Sequence, residues 1–322
     1  MSSGTYPSLP ELDLDSNNEN TFYKVIKDNC PYIYLHPDDK YHPEAFESYL
    51  KKCELYHSTL PNPVLKFGEI TPENLTSMKI HSHPSATFDL SKSHQYSPYT
   101  LKLDREQREY LPNLSNPNVV ETFQATGDKS VNTKVGSNVD QYAPMYTFIT
   151  HRSRDFTDVT YSMFTSYNAS TACNGCLPVG IHDSDWERVV IRFTNTPSSQ
   201  SPQHNHASRY YLDQHGNGKW FESKDLQFNE KHPLVYCAWR SHAMYPTPGI
   251  KWRFAGFGND YCKRSTEHLW KPKKLRIIDT LEMPTDNYSG SIPKWLFYTG
   301  KIGAQGMNLP MWRPDWNNTT NL

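Results

Sequence analysis

One run of eight residues, Gly180-Ile181-His182-Asp183-Ser184-Asp185-Trp186-Glu187, concentrates groups that could do chemistry. It leads into Arg188-Val189-Val190-Ile191-Arg192-Phe193, whose apolar and β-branched residues predict a strand. His182 is expected in the loop before that strand. Side chains alternate along a strand, so Asp185 and Glu187 point to one face. An imidazole and two carboxylates would then meet at the strand entrance, which suits a hard divalent cation or general acid/base work. The plainer alternative is that His182, Asp183 and Ser184 are turn residues and the two acids anchor neighbouring loops by hydrogen bonds. Trp186 shares its alternation with Val190 and the stem of Arg192, so it is expected to pack and fix the strand's orientation.

Two further stretches could complete such a site. Tyr161 to Asn168 reads as an aromatic strand whose last residue, Asn168, could offer a carbonyl oxygen to a cation or simply end the strand in a turn. Trp239 to Gly249 follows an apolar strand, and His242 lies just past that strand's end. A polar residue leaving a rigid strand is well placed to hold a ligand. The expectation is that His182, Asp185, Glu187 and His242 line one pocket at one end of a β-sandwich. Trp186, Ser241 and Tyr245 are expected in the pocket wall.

The elements that must position these groups are mostly strands. Candidates are residues 145–150, 159–167, 187–193, 209–212, 234–239, 252–255, 275–278 and 294–298, separated by Gly, Pro, Asn and Ser clusters. Earlier in the chain, residues 32–35 read as a short strand. Pro43 would open a helix whose apolar face carries Phe46, Tyr49, Leu50 and Cys53. Residues 58–138 are polar and proline-punctuated and predict irregular structure with short helices. The polar stretch 195–208 reads as a flexible loop. The fold class is therefore mainly β with an α+β periphery: an antiparallel β-sandwich core, long loops and a few short helices. Residues 1–20 read as a disordered leader and 21–322 as a single domain, with the β-rich core at about 140–322.

Composition narrows the function classes. The chain has 322 residues, a formal charge of −1 and 13% aromatic residues, enough rings to pack a β-rich core. So small a net charge makes no case for nucleic acid. The basic residues Lys271, Lys273, Lys274 and Arg276, with Lys263 and Arg264 near them, are expected to flank a strand in solvent. No stretch has the roughly 20 apolar residues of a membrane helix, and the first 20 residues hold no signal-peptide core. Six cysteines leave three bridges open, with no connectivity legible. Cys173 and Cys176 have CxxC spacing but no second pair for a zinc ribbon. There is no Gly-x-Ser-x-Gly elbow for a serine hydrolase. His81, His83 and Ser91 mimic a JAMM metalloprotease signature, but His94 stands where that signature needs Asp.

Taken in order, the motifs resemble the vacuolar protein sorting-associated protein 62 family of fungi, which is related to an uncharacterised plant family. Pro31 to Asp39 is similar to the family's apolar segment ending in Leu-His-Pro-Asp/Glu. Gly180 to Glu187 resembles its Gly-Asn-His-x-x-Asp-Trp-Glu motif, with Ile181 in place of Asn. Ser241 to Tyr245 with Pro248-Gly249 resembles its Ser-His-Ala-x-Tyr…Pro-Gly motif, with Arg240 where Gly is usual. Tyr298 to Gly303 is a weaker version of a C-terminal Phe-x-Gly-Arg-Trp-Gly. A more distant resemblance is to the necrosis-inducing protein cytolysins, whose Gly-His-Arg-His-Asp-Trp-Glu heptapeptide holds a divalent cation. That resemblance implies His182, Asp185 and Glu187 as candidate Ca or Mg ligands. Asn168 would stand where those proteins have Asp, lowering the charge of the site and weakening the ion.

The family resemblance implies a non-enzymatic factor linked to vacuolar protein sorting, cytoplasmic or vacuole-associated, with an unknown protein or lipid ligand. One alternative is a cation-dependent lipid- or glycan-binding protein, secreted if a signal peptide has been removed. Another is a metal-dependent hydrolase with Asp185 or Glu187 as base.

Overall fold

The computed structural model describes residues 11–14, 21–39, 41–51, 53–57, 63–66, 68–71, 99–103, 143–169, 171–172, 177–178, 180, 182–196, 199–215, 218–253, 258–279, 294–298, 301–302 and 309. The first half carries β1 (Glu11–Asp13), α1 (Thr21–Asp28), β2 (Tyr32–Tyr34), α2 (Phe46–Leu50), β3 (Cys53–His57), β4 (Pro63–Leu65) and β5 (Tyr99–Leu103). The long strands follow: β6 (Met145–His151), β7 (Phe156–Asn168), the short β8 (Thr171–Ala172) and β9 (Leu177–Pro178), then β10 (His182–Thr196) and β11 (Ser199–Leu212). After them come β12 (Lys219–Phe221), β13 (Gln227–Asn229), β14 (His232–Cys237), β15 (Met244–Tyr245), β16 (Gly249–Lys251) and β17 (Asp260–Cys262). β18 (Leu269–Trp270), β19 (Lys274–Asp279) and β20 (Lys301–Ile302) complete the described strands.

The molecule is mainly β. Its central sheet runs β1-β19-β6-β7-β10-β11-β12, and a second sheet runs β13-β14-β2-β18 with β15 on β14. A smaller sheet, β20-β5-β3-β4, shares no ladder with either and packs Leu55 and Ile302 into the core behind the central sheet. Most pairings are antiparallel, but β19 runs parallel to β6, β14 to β2 and β20 to β5. Each parallel pair joins segments far apart in sequence, as parallel strands require a long crossover.

Alternation along β7 and β10 divides the core in two. Val189, Ile191 and Phe193 face Val25 and Ile26 of α1, Ile33 of β2 and Val235 of β14. Trp186 faces the other way, into Phe46, Tyr49, Tyr146, Phe164 and Trp295. Trp186 is buried as its alternation predicts, and Tyr146 meets it edge-on at 5.1 Å between ring centroids. The central sheet is thus buried on both faces. Each fully covered Val, Ile or Phe contributes about 1.5–3 kcal/mol relative to exposure.

Several elements differ from expectation for local reasons. The helix begins at Phe46, not at Pro43, because the Glu44 N–H is tied to the Phe164 carbonyl of β7 at 2.9 Å. Cys53 opens β3 instead of continuing the helix face. Residues 195–196 and 199–208 are strand: β10 and β11 stay paired as far as Thr196 and Ser199, with register shifts. Main-chain pairing satisfies N–H and C=O groups whatever the polarity of the side chains. Residues 294–297 form a 3-10 turn that places Trp295 and Tyr298 three apart on one buried side. Trp252 lies outside a strand, after β16. Of residues 1–20, Glu11–Asp13 pairs with β19, and α1 begins at Thr21.

Cys30, Cys53, Cys237 and Cys262 are buried and form no disulfide, so the three-bridge option is lost. Cys173, Cys176 and the His81–His94 segment lie outside the described residues. No described helix is long and apolar enough to cross a membrane.

Candidate functional site

The site forms where the end of β7 meets the start of β10. Asn168 pairs with His182 and Thr165 with Asp185 in the antiparallel register. His182 is the first residue of β10, not part of a preceding loop. Two turns close over this corner. One follows β14, where the His242 N–H donates to the Ala238 carbonyl at 3.0 Å and the Ala238 N–H to the Ala243 carbonyl at 2.9 Å. The other is the 36–39 turn after β2, closed by the Asp39 N–H on the His36 carbonyl at 2.9 Å. Trp239 joins the two: its indole N–H donates to the Asp38 carbonyl at 3.1 Å and its ring stacks near His36.

His242 sits between two carboxylates. Its Nδ1 is 2.8 Å from Asp185 Oδ2 and 3.2 Å from Thr165 Oγ1. Its Nε2 is 3.5 Å from Asp39 Oδ2, an ion pair longer than a well-formed hydrogen bond. Asp39 also accepts the Arg240 N–H at 2.7 Å and the Tyr41 N–H at 3.0 Å. Burial alone would push the imidazole pKa down, but the charge of Asp39 and the hydrogen bond that Nδ1 donates to Asp185 outweigh it and hold His242 up at about 10. Burial likewise opposes the ionised form of Asp39, yet His242 and the two N–H groups leave it below the ordinary carboxylate value. The core of the site is therefore an imidazolium enclosed by carboxylates, all nearly shut off from solvent.

Asn168 turns its amide nitrogen to this cluster, donating to Asp185 Oδ2 at 3.1 Å and to the Ser241 carbonyl at 3.3 Å. It therefore supports the carboxylate as a donor. His182 stands at the rim. Its Nδ1 is 2.8 Å from the Ser184 carbonyl, which can only accept, so that nitrogen carries the proton. In the neutral ring Nε2 then presents a lone pair, and it faces Asp185 Oδ1 at 3.9 Å.

The remaining expected residues lie close by but do other work. Glu187 shares the Asp185 face one alternation deeper, where its charge bears on Cys237 and Tyr245. Trp186 is on the opposite face of the sheet, in the aromatic core, and lines no common pocket with His242. Ser241 and Tyr245 donate to a different carboxylate, Asp260, at 2.7 and 2.6 Å. His215 Nε2 reaches the same acid at 2.8 Å and Arg253 at 3.5 Å. Burial raises the Asp260 pKa, and its hydrogen bonds with Tyr245 and Ser241 only partly offset this.

Backbone strain concentrates at this corner. Ser184, Arg240 and His242 all adopt left-handed φ, at 59°, 65° and 55°. Each such non-glycine residue costs roughly 1–3 kcal/mol and persists only where its surroundings enforce it. Among the described residues no three His, Cys, Asp or Glu side chains are gathered as a metal cage. Sequence reasoning did not single out Asp39, Thr165 or Asp260. Asp39 had one legible signal, its place at the end of the Leu35-His36-Pro37-Asp38-Asp39 motif.

Comparison with known proteins adds a family. A family model described as vacuolar protein sorting-associated protein 62 matches residues 134–307. The Saccharomyces cerevisiae protein of that name is 23% identical over 247 residues, covering 70% of this chain and 46% of its own length. The chain thus spans about half the length of that curated relative. Among solved structures, Necrosis and Ethylene inducing Protein 2 from the causal agent of cocoa's Witches Broom disease superposes with a TM-score of 0.32 at 12% identity, over 75% of this chain and 73% of that one. NLPPya in complex with mannosamine gives 0.25 at 13% identity, over 44% and 52%. Superpositions this loose carry no functional argument.

Proposed function

This chain belongs to the vacuolar protein sorting-associated protein 62 family, and on that premise we propose that it is a non-enzymatic factor linked to vacuolar protein sorting, cytoplasmic or vacuole-associated. Family membership carries the vacuolar part. The non-enzymatic part is supported by the mutual pairing of Asp39, His242 and Asp185. A general acid or base must reach the proton it transfers. Here the strongest titratable groups are buried and committed to one another. Their role is to pin the 238–243 and 36–39 turns onto the β7–β10 corner, fixing the surface those turns present. The test is complementation: the chain is expressed in S. cerevisiae lacking its relative, and the secreted fraction of a vacuolar hydrolase is measured. Restored retention supports the proposal, and unchanged secretion counts against it.

A second reading concerns the rim. The lone pair of His182 Nε2 facing Asp185 Oδ1 favours a positive charge between them. We propose a weak Ca or Mg position there, shared by His182 and Asp185. Asn168 enters only as the donor that orients Asp185, and Glu187 lies outside it. Calorimetric titration of wild type with Ca²⁺, Mg²⁺ and Mn²⁺ should give heat that His182→Ala removes. Because Asp185→Ala strands a buried imidazolium, His182→Ala is the cleaner variant. Absence of heat at millimolar metal would leave the site purely structural.

A further inference from the structure

We propose that the β16–β17 ribbon docks onto an anionic lipid bilayer. In this antiparallel pair Ile250 stands opposite Tyr261, and Lys251 opposite Asp260. Alternation sends Asp260 and Cys262 inward, where both are buried. Ile250 is left on the outer face at 49% exposure, and Trp252, two residues further, reaches 75%. These are the two most exposed large apolar side chains among the described residues, Ile250 on the ribbon and Trp252 immediately after β16. The others, Val64, Phe156 and Phe228, stand on separate elements. Single exposed apolar residues are ordinary, whereas adjacent ones mark a contact surface.

The ribbon is a fixed platform. The Trp239 N–H donates to the Tyr261 carbonyl at 2.9 Å, and Ala238 bridges Cys262. Lys251 is held inward, with its ammonium 2.7 Å from Thr247 Oγ1 and over the Tyr245 ring.

The charge around it selects the partner. Residues 249–274 contain seven Lys and Arg against two acids, in a chain whose net charge is −1. Of the two acids Asp260 is buried, and only Glu267 is exposed. Lys263 and Arg264 follow β17 directly and are exposed, whereas Lys271 lies over Tyr32 of β2 and Lys274 pairs with Asp13 of β1. Trp and Tyr settle at the membrane–water boundary because one end is apolar and the other polar. Lysines near them are attracted to anionic headgroups. A protein partner is the poorer fit, since protein interfaces are depleted in Lys. Lys263 and Arg264, which the sequence alone assigns to a solvated strand flank, thus have an apolar anchor on the ribbon they follow.

The ribbon shares no residue with His182 or Asp185, so this inference and the cation reading fail separately. The test is co-sedimentation of the full chain with phosphatidylcholine vesicles, with and without phosphatidylserine. Wild type should sediment with the anionic vesicles, and less so as salt screens the charge. Trp252→Ala with Ile250→Ser should weaken binding by about tenfold. Lys263→Glu and Arg264→Glu should each weaken it by roughly fivefold or more and remove the preference for phosphatidylserine. All four positions are solvent-facing, so circular dichroism should be unchanged. Wild type remaining in the supernatant, or the Trp252 variant binding undiminished, overturns the proposal. So does an effect of Trp252 confined to self-association, to a soluble oligosaccharide or to nucleic acid.

Discussion

Asp158 and Asp185 are both buried carboxylates of the central sheet, and their charges are balanced in opposite ways. Asp158, on β7, accepts from Arg192 Nε and Nη2 at 2.8 and 3.0 Å and from Arg152 Nε at 3.0 Å. It is one acid between two guanidiniums. Asp185, on β10, shares the single imidazolium of His242 with Asp39, which makes two acids around one cation. A guanidinium keeps its charge at every accessible pH, whereas an imidazolium does not. The first cluster is a permanent fastening, and the second depends on a proton. The arginines of the first retain some exposure, with side chains 20% and 12% accessible, while His242 is 2% accessible. Losing the acid therefore has unequal consequences at the two places.

The largest expected effect tests this inequality. Asp185→Ala should destabilise the protein by about 3–5 kcal/mol in denaturant unfolding, because it leaves a buried imidazolium facing one distant partner. Next comes the pH dependence. The folded pKa of His242 lies at about 10, above the ordinary value of 6.5. Its stabilisation is therefore complete below about pH 6.5 and is lost as pH rises through about 10. Wild-type stability should fall by a few kcal/mol across that window, and His242→Gln should flatten the slope. Asp39 acts on the acid side, where its depressed pKa contributes stability that is lost as pH falls. Both shifts report one shared interaction and are not to be added.

Asp158→Ala should cost less, about 1–3 kcal/mol, since Arg152 and Arg192 can turn toward water. A cost equal to that of Asp185→Ala would break the comparison. It should also leave the alkaline slope intact. The smallest effect calibrates the scale: Lys231→Ala removes an exposed partner of Asp28 at 3.1 Å and should change stability by no more than about 0.5 kcal/mol.

How much of this was legible follows from which forces are local. The strands around Met145, Val159, Val189 and Leu275 were legible because apolar alternation is a property of neighbouring residues. The same alternation put Trp186 in a core, but it could not say which side of the sheet would carry the ligand-like groups. The polarity of residues 195–196 and 199–208 suggests a loop, while the β10–β11 ladder they join is held by backbone groups that carry no sequence signal. In the site, His182 and Asp185 were expected to meet because both stand at one strand start; alternation alone sends residues three apart to opposite faces, and the left-handed Ser184 lies between them. Asn168 was linked to them through its place at the end of a neighbouring strand. Asp39 was missed because it lies about 200 residues from Arg240, whose N–H it accepts.

What the sequence determined by itself was the chemistry available: a mainly β chain, a His-x-x-Asp-Trp-Glu strand start, a later histidine after an apolar strand, and a family. Only the tertiary structure decided how those groups are used. It placed Trp186 behind the sheet, assigned Ser241 and Tyr245 to Asp260, and enclosed His242 between Asp39 and Asp185. The reason is physical. Residue type and spacing set which side chains can ionise and which face they share. Burial and the approach of carboxylates from distant segments set whether a given proton stays, and neither exists until the turns after β2 and β14 close on the β7–β10 corner.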